Sequence, residues 1–402
     1  MSKIAVVDFL FNWPPDGGSR VDLKEVFSRI AKFHEVKLFV PHFTRYYPRG
    51  EILEPIPLNI ERIPFNRFNY NFFCVPIKIK KALERFSPDY VFIADGEHIK
   101  PYVVRALKKY NPILRFYTYD SFCIKDYGTF FKDGSVCLHC FLDSPLYCVW
   151  CTSKWLLKYK PRMAAHTFLT SMAFLPGFSG MIKEGLKSAG TIIVYNEFIK
   201  GIASKYNKNC MVIPSGVDTR LFEPCNNRMT SDIPVILMSG RIDDPQKGFN
   251  VLLTACKKLH DKGRIFKLLV TTEKKFEEPF IESAGWLTPK ELPKLYHKAD
   301  ICIVPSIWQE PFGIVAVEAM ACGKPVIASK IGGLLSIVDD GVNGFLFSPG
   351  NHDELASKIE LLLEKPDLRH RMGTSAREKA EREYNWDKIV EKYYFPIFNI
   401  TT

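Results

Sequence analysis

Residues 306–350 read SIWQEPFGIVAVEAMACGKPVIASKIGGLLSIVDDGVNGFLFSPG, and this stretch decides how the rest of the chain is read. Two carboxylates, Glu310 and Glu318, bracket a turn made by Pro311, Phe312 and Gly313. An apolar β-type run over residues 299–306 (ADICIVPS) leads into the turn, and a helix-like IVAVEAMACG leaves it and stops at Gly323. The pattern predicts strand, loop, helix. A helix N-terminus at such a junction presents backbone N–H groups that have no intrahelical partner, so an anion or a hydroxyl-rich ligand can be held there. Glu310 then falls in the loop and Glu318 further along the helix, where carboxylates can accept hydrogen bonds from neighbouring hydroxyls of one ligand. That is sugar or ribose chemistry.

Two glutamates alone in such places are most often a loop charge and a solvated helix residue. Here they are followed by GKPVIAS (residues 323–329), which reads as a buried strand, by a second glycine junction, IGGLL (331–335), and by DGVNGFLF (340–347). This ordered run resembles the donor-site region of retaining GT-B glycosyltransferases of glycosyltransferase family 4. The likeness is strong over residues 234–350 and weaker over 1–216. It implies an α/β fold of two Rossmann-like, doubly wound domains facing a cleft. It also implies that Glu318 holds ribose hydroxyls, and that Glu310 with the N–H groups of Phe312, Gly313 and Ile314 holds the donor hexose.

The chain of 402 residues exceeds the size at which single cores stop growing, so two domains are expected. Apolar residues make up 47% and charged ones 25%, enough for two cores and against wholesale disorder. The opening MSKIAVVDFLF is broken by Asn12 and Pro14 too soon for a signal peptide or a spanning helix, which predicts a cytosolic chain. The net charge of +11 is uneven: residues 1–216 hold 30 Lys and Arg against 18 Asp and Glu, while the remainder holds 25 against 26. The basic surplus predicts an anionic partner for the N-terminal part, a phosphorylated acceptor, an anionic membrane face or nucleic acid, or else serves general solubility.

Residues 3–9 (KIAVVDF) read as a first buried strand, and PPDGGSR (14–20) as a glycine-bearing loop opening a helix. In the resembled family such a loop, here Gly17 and Gly18, faces the donor. Strand and helix patterns then alternate through ILRFYTYD (113–120), which predicts a parallel sheet covered by helices. Where the family often shows a His-Asp pair, this chain has Tyr119 and Asp120, and only Asp120 is carried over as a catalytic candidate.

Five of the eleven cysteines lie in residues 123–151: Cys123, Cys137, Cys140, Cys148 and Cys151, with His139 among them. Two Cys-x-x-Cys pairs can surround zinc, so Cys137, Cys140, Cys148 and Cys151 are the candidate structural ligands, with Cys123 or His139 able to substitute; reduced, metal-free cysteines are the alternative. Residues 155–182 are apolar and basic but too interrupted to span a bilayer. They fit either a core helix or an interfacial one, with Trp155 and Tyr159 at headgroup level and Lys154, Lys158, Lys160 and Arg162 near phosphates.

The polar run CNNRMTSD (225–232) marks the best boundary. This gives an acceptor-side domain over 1–216 with a Cys-rich insertion at about 123–151, a linker over 217–232, a nucleotide-sugar domain over 233–380, and a C-terminal helix over 381–402 that, by resemblance, crosses back to the first domain. Arg241 and Lys247 follow the strand PVILMSG and match the family's cations for the donor diphosphate, Arg as a planar fork and Lys as a point charge. Trp286 and Leu287 fall where a nucleotide base is expected, although KLLVTTEKKFEE replaces the family's glycine-rich turn.

Together these readings predict transfer of a hexose from a nucleotide-diphosphate sugar to a hydroxyl of a glycan or lipid-linked acceptor, with retention of configuration. No Asp-x-Asp motif is present, so no catalytic metal or other cofactor is expected beyond the nucleotide sugar itself. A GT-B sugar-nucleotide epimerase would share the donor pocket. A zinc-bearing nucleic-acid-binding protein would explain the basic surplus and the cysteines but gives Glu310 and Glu318 no purpose.

Overall fold

A computed structural model describes residues 1–15, 17–43, 50–125, 131–132, 135–159, 170–175, 177–225, 233–288 and 290–401. The chain divides into two compact units: Met1–Phe130 with Leu138–Pro214 and Val390–Thr402, and Phe131–Cys137 with Ser215–Ile389.

The first unit is built on strands β1 (Lys3–Val7), β2 (Glu35–His42), β3 (Asn59–Pro64), β4 (Tyr90–Ile93) and β5 (Ile113–Arg115). After a small antiparallel hairpin, β6 (Phe131–Lys132) and β7 (Ser135–Val136), the sheet is completed by β8 (Thr191–Val194) and β9 (Cys210–Val212). Its order is β3-β2-β1-β4-β5-β8-β9 and every pairing is parallel. Runs such as KIAVV are buried on both faces, as strands must be when helices cover both sides of a parallel sheet. The covering helices bury one stripe each: Leu23, Val26, Phe27 and Ile30 in Gly18–Ile30, and Val75, Ile79, Ala82, Leu83 and Phe86 in Cys74–Phe86. Sheet growth reverses at β1, so the ends of β1 and β4 form the switch point of this unit.

A buried arginine ties the unit together. Arg115, at the end of β5, donates to the carbonyl of Ile213 at 2.9 Å and lies 3.7 Å from Asp22, whose Oδ2 also accepts from the Tyr195 hydroxyl at 3.0 Å. The last residues close the same unit: Phe398 packs its ring on Phe27 and Tyr90, and its carbonyl lies 3.0 Å from His34 Nε2. Residues 381–402, read from sequence as a C-terminal helix, are instead broken after Pro366–Glu383. The Asn385 side chain accepts the N–H of Asp387 at 2.9 Å, a local turn that competes with helix continuation, and the chain resumes as Trp386–Ile389 and a π-type turn at Val390–Tyr394.

The second unit holds β10 (Val235–Met238), β11 (Lys267–Val270), β12 (Ile281–Ser283), β13 (Ile301–Val304), β14 (Val326–Ser329) and β15 (Gly344–Phe347), in the order β12-β11-β10-β13-β14-β15. All pairings are again parallel. Both units are thus Rossmann-like α/β layers, as the sequence reading expects.

The cysteine stretch is organised by burial. Cys123, Cys140 and Cys148 join the apolar core of the first unit, and burial pushes the Cys140 thiol above its ordinary range. None of the eleven cysteines is disulfide-bonded, and the described residues hold no group of three His, Cys, Asp or Glu placed to bind a metal. The zinc set read from Cys137, Cys140, Cys148 and Cys151, with Cys123 or His139 in reserve, is therefore not assembled among them; His139 lies against Tyr147 instead. In the neighbouring basic segment Lys160 and Arg162, and the side chains of Lys158 and Tyr159, lie outside the described residues; Lys154 is exposed and Trp155 half-buried. No described helix is long and apolar enough to cross a membrane.

Candidate functional site

The site in the second unit is made by loops at the carboxyl ends of β10, β11 and β13, the position where open α/β sheets bind ligands. Two glycines let these loops touch. Gly248 has φ +77°, and a Cβ there would sit 1.9 Å from the Pro305 carbonyl oxygen; Gly332 has φ +54°, and a Cβ there would sit 2.2 Å from the Glu310 carbonyl oxygen. Backbone bonds lock the contacts, Ile307 N–H to the Gln246 carbonyl at 2.9 Å and Gly333 N–H to the Glu310 carbonyl at 2.8 Å. The loop that carries Lys247, the loop that carries Glu310 and the IGG junction are consequently one packed assembly.

Glu310 is almost fully enclosed by this assembly, at 7% exposure. Lys247 Nζ donates to both of its carboxylate oxygens, at 3.1 and 2.9 Å, while the Ser306 hydroxyl and the Trp308 indole N–H donate to Oε2 at 2.8 and 3.0 Å. The Lys247 ammonium also lies 4.8 Å from the centre of the Trp308 ring. A buried carboxylate needs a counter-charge and donors, and all of them come from three neighbouring side chains. Lys247 and Glu310, assigned by resemblance to diphosphate and hexose, are here paired with each other; an ammonium has three protons, so Lys247 can keep this pairing and still donate to a phosphate.

Glu318 is organised separately. It lies on the helix Ile314–Ala321, with Gly313 as the N-cap and Phe312 buried against the Tyr384 ring. The fully buried Tyr296 donates to Glu318 Oε2 at 2.7 Å, and Ser239 Oγ sits 2.8 Å behind the phenol oxygen. Burial pushes Glu318 up to about 7, with the Tyr296 hydrogen bond working the other way. The phenol, pushed well above its ordinary value by burial and then by the Glu318 charge, stays a donor.

Beside these groups Arg241 is exposed and Leu287 half-buried. Trp286, 65% exposed, lines a cavity of about 250 Å³ with Asp243, Thr271, Thr272, Glu273 and Lys274. The candidates on the first unit form a second group. Gly17 precedes the helix Gly18–Ile30 in extended backbone, and Asp120 is buried beyond the end of β5 next to Tyr119, whose hydroxyl accepts from Asn196 at 2.7 Å. Around Asp120 lie groups that sequence reading passed over. Lys100 is buried, its Nζ donates to the Arg115 carbonyl at 2.6 Å, and it feels the charges of Asp120, Asp95 and Asp8. Asp8, at the switch point, is pushed up to about 7 by burial and by Asp95.

Sequence reading also missed Ser306, Trp308, Tyr296, Ser239 and the cavity walls. Ser306 and Trp308 carried a signal, since both supply donors within four residues of Glu310. Tyr296 and Ser239 carried none, because they meet Glu318 only through tertiary packing.

Residues 226–379 match the sequence profile of the family described as glycosyl transferases group 1. An uncharacterized glycosyltransferase of Methanocaldococcus jannaschii is 38% identical over 215 residues, 52% of this chain and 59% of that protein. The MMP alpha-(1->4)-mannosyltransferase of Mycolicibacterium hassiacum is 34% identical over 190 residues, 44% of this chain and 45% of that protein. The chain thus spans less than two thirds of the length of these curated relatives. Among solved structures, Anabaena HepE in complex with UDP superposes with a TM-score of 0.68 at 17% identity, covering 99% of this chain and 100% of that one. The fold is GT-B.

Proposed function

We propose that this chain is a glycosyltransferase that takes a hexose from a nucleoside-diphosphate sugar and places it on a hydroxyl of a glycan or lipid-linked acceptor, with retention of configuration. The observation that carries this reading is the packed assembly of Lys247, Glu310, Ser306 and Trp308 beside the N-terminus of the helix that bears Glu318, inside the segment that matches the glycosyl transferases group 1 profile. In such a transfer the sugar passes through an oxocarbenium-like state and the nucleoside diphosphate leaves with negative charge. Arg241, Lys247 and the N–H groups of Phe312, Gly313 and Ile314 would stabilise that charge by fixed electrostatics. Glu318 would take the ribose hydroxyls and Glu310 the donor hexose; Gly17 and Gly18 would approach the donor, Trp286 and Leu287 the base, and Asp120 the acceptor hydroxyl.

The Methanocaldococcus jannaschii and Mycolicibacterium hassiacum relatives are named as transferases, which favours this reading over an epimerase that would use the same pocket. The basic surplus of residues 1–216 suits an acceptor carried on an anionic membrane face, to which the chain would dock peripherally.

Calorimetry with a panel of nucleoside diphosphates tests the donor site. Lys247→Ala or Arg241→Ala should each weaken the best binder by about 1.5–3 kcal/mol, the worth of a charged hydrogen bond. Unchanged affinity in both variants would sink the assignment. Incubation with the cognate nucleotide sugar and no acceptor separates the two enzymes: a new nucleotide sugar means epimerase, whereas release of nucleoside diphosphate only when acceptor is added means transferase.

A further inference from the structure

The cavity beside Trp286 has walls that discriminate between bases. Its polar groups are mostly committed to one another: the Thr271 hydroxyl donates to the Gly240 carbonyl at 2.7 Å, the Thr272 hydroxyl donates to Asp243 Oδ2 at 3.0 Å, and Lys274 Nζ pairs with Asp243 Oδ1 at 2.5 Å. Glu273 differs. Its Oε1 accepts the Trp286 backbone N–H at 3.0 Å, which ties the carboxylate to the chain at Trp286 and leaves Oε2 with open acceptor capacity. The turn at Gly285, with φ +72°, brings the chain back against this carboxylate, where a Cβ would sit 3.3 Å from Oε1.

A planar base laid on the Trp286 face in this cavity shares it with an acceptor-only group that has an ammonium as its sequence neighbour. Guanine alone among the common bases places two adjacent donors, N1–H and the N2 amino group, on one edge with the O6 acceptor beside them. Uracil offers a single N–H between two carbonyls, and adenine and cytosine set a ring acceptor beside the amino group, so each of these turns at least one lone pair toward a carboxylate. We infer that this cavity selects a guanosine-diphosphate sugar, with Glu273 as the specificity-determining residue, Lys274 near O6 and Trp286 as the stacking face. This rests on the reading of the second unit as a donor site and names the base that the site takes.

The test is calorimetry of the full chain with GDP, UDP and ADP, repeated on Glu273→Gln. GDP should bind at least tenfold more tightly than UDP or ADP. In the variant, whose amide puts an NH2 donor group where the carboxylate offers only acceptors, GDP should weaken tenfold or more while UDP stays the same or tightens. If UDP or ADP binds best, or if the substitution leaves the ratio of GDP to UDP affinity unchanged, guanine selection is overturned; when nucleoside-diphosphate binding is still lost in Lys247→Ala, the donor-site reading stands without it. If none of the three binds, the inference and the donor-site reading fall together.

Discussion

Glu318 shows how one residue's surroundings set its chemistry. A solvated glutamate would be fully charged at neutral pH, but burial on the helix Ile314–Ala321 holds this one near 7, with Tyr296 supplying the donor that limits the shift. Because its folded value lies above the ordinary 4.5, the folded chain binds more protons than the unfolded chain between about 4.5 and 7. Its contribution to stability is complete below that window, falls as pH rises through it, and is lost above. Melting temperatures of the wild type and of Glu318→Gln, taken in parallel from pH 4.5 to 8, should therefore converge at the acidic end and diverge in the variant's favour as pH rises. Parallel curves would show that the carboxyl titrates normally. Glu310, a few residues away, is held differently: Lys247, Ser306 and Trp308 all donate to its carboxylate.

The decisive feature among elements is the contact between the loop after β13 and the glycine junction after β14. The IGG sequence is readable as a turn, but its use is to let Gly332 lie against the Glu310 backbone, with oxygen 2.2 Å and nitrogen 2.8 Å from where a Cβ would be. Backbone cannot yield as a flexible side chain can. Gly332→Ala should cost about 1–3 kcal/mol of stability, the scale of stored backbone strain, and should shift Glu310 away from Lys247. Urea unfolding measures the first effect, and weakened binding of the nucleoside diphosphate the second. A variant with wild-type stability and affinity would mean that the two loops part without consequence. The Gly248 contact with Pro305 is the same device on the neighbouring strand, and together they align three loops from separate βα units.

The whole molecule returns on itself, since the first compact unit needs the last residues of the chain. Phe398 is fully buried between Phe27 and Tyr90, and Tyr394 is buried beside the Arg115 group. Phe398→Ala should therefore destabilise the first unit by about 3–5 kcal/mol although it lies at the far end of the sequence. Differential scanning calorimetry should show the transition of the first unit shifted down and that of the second unchanged. An unshifted profile would show that the tail is only laid against the surface.

The sequence by itself determined the alternating βα architecture, because period and turn residues are local properties: KIAVV, KLLV, ICIV and VIAS are apolar on both faces and admit only a doubly covered parallel sheet. It also placed Arg241, Lys247 and Glu310 in loops that follow strands, and a loop that follows a parallel strand must emerge at its carboxyl end. Pairing across loops was beyond it. That Lys247 neutralises Glu310, that Tyr296 props Glu318 and that Glu273 turns beside Trp286 follow from contacts between segments up to 63 residues apart. The cysteine stretch marks the same limit from the other side: its spacing permits a tetrahedral metal site, but side-chain direction is a tertiary matter, and Cys123, Cys140 and Cys148 are drawn into the apolar core, where burial pushes the Cys140 thiol up.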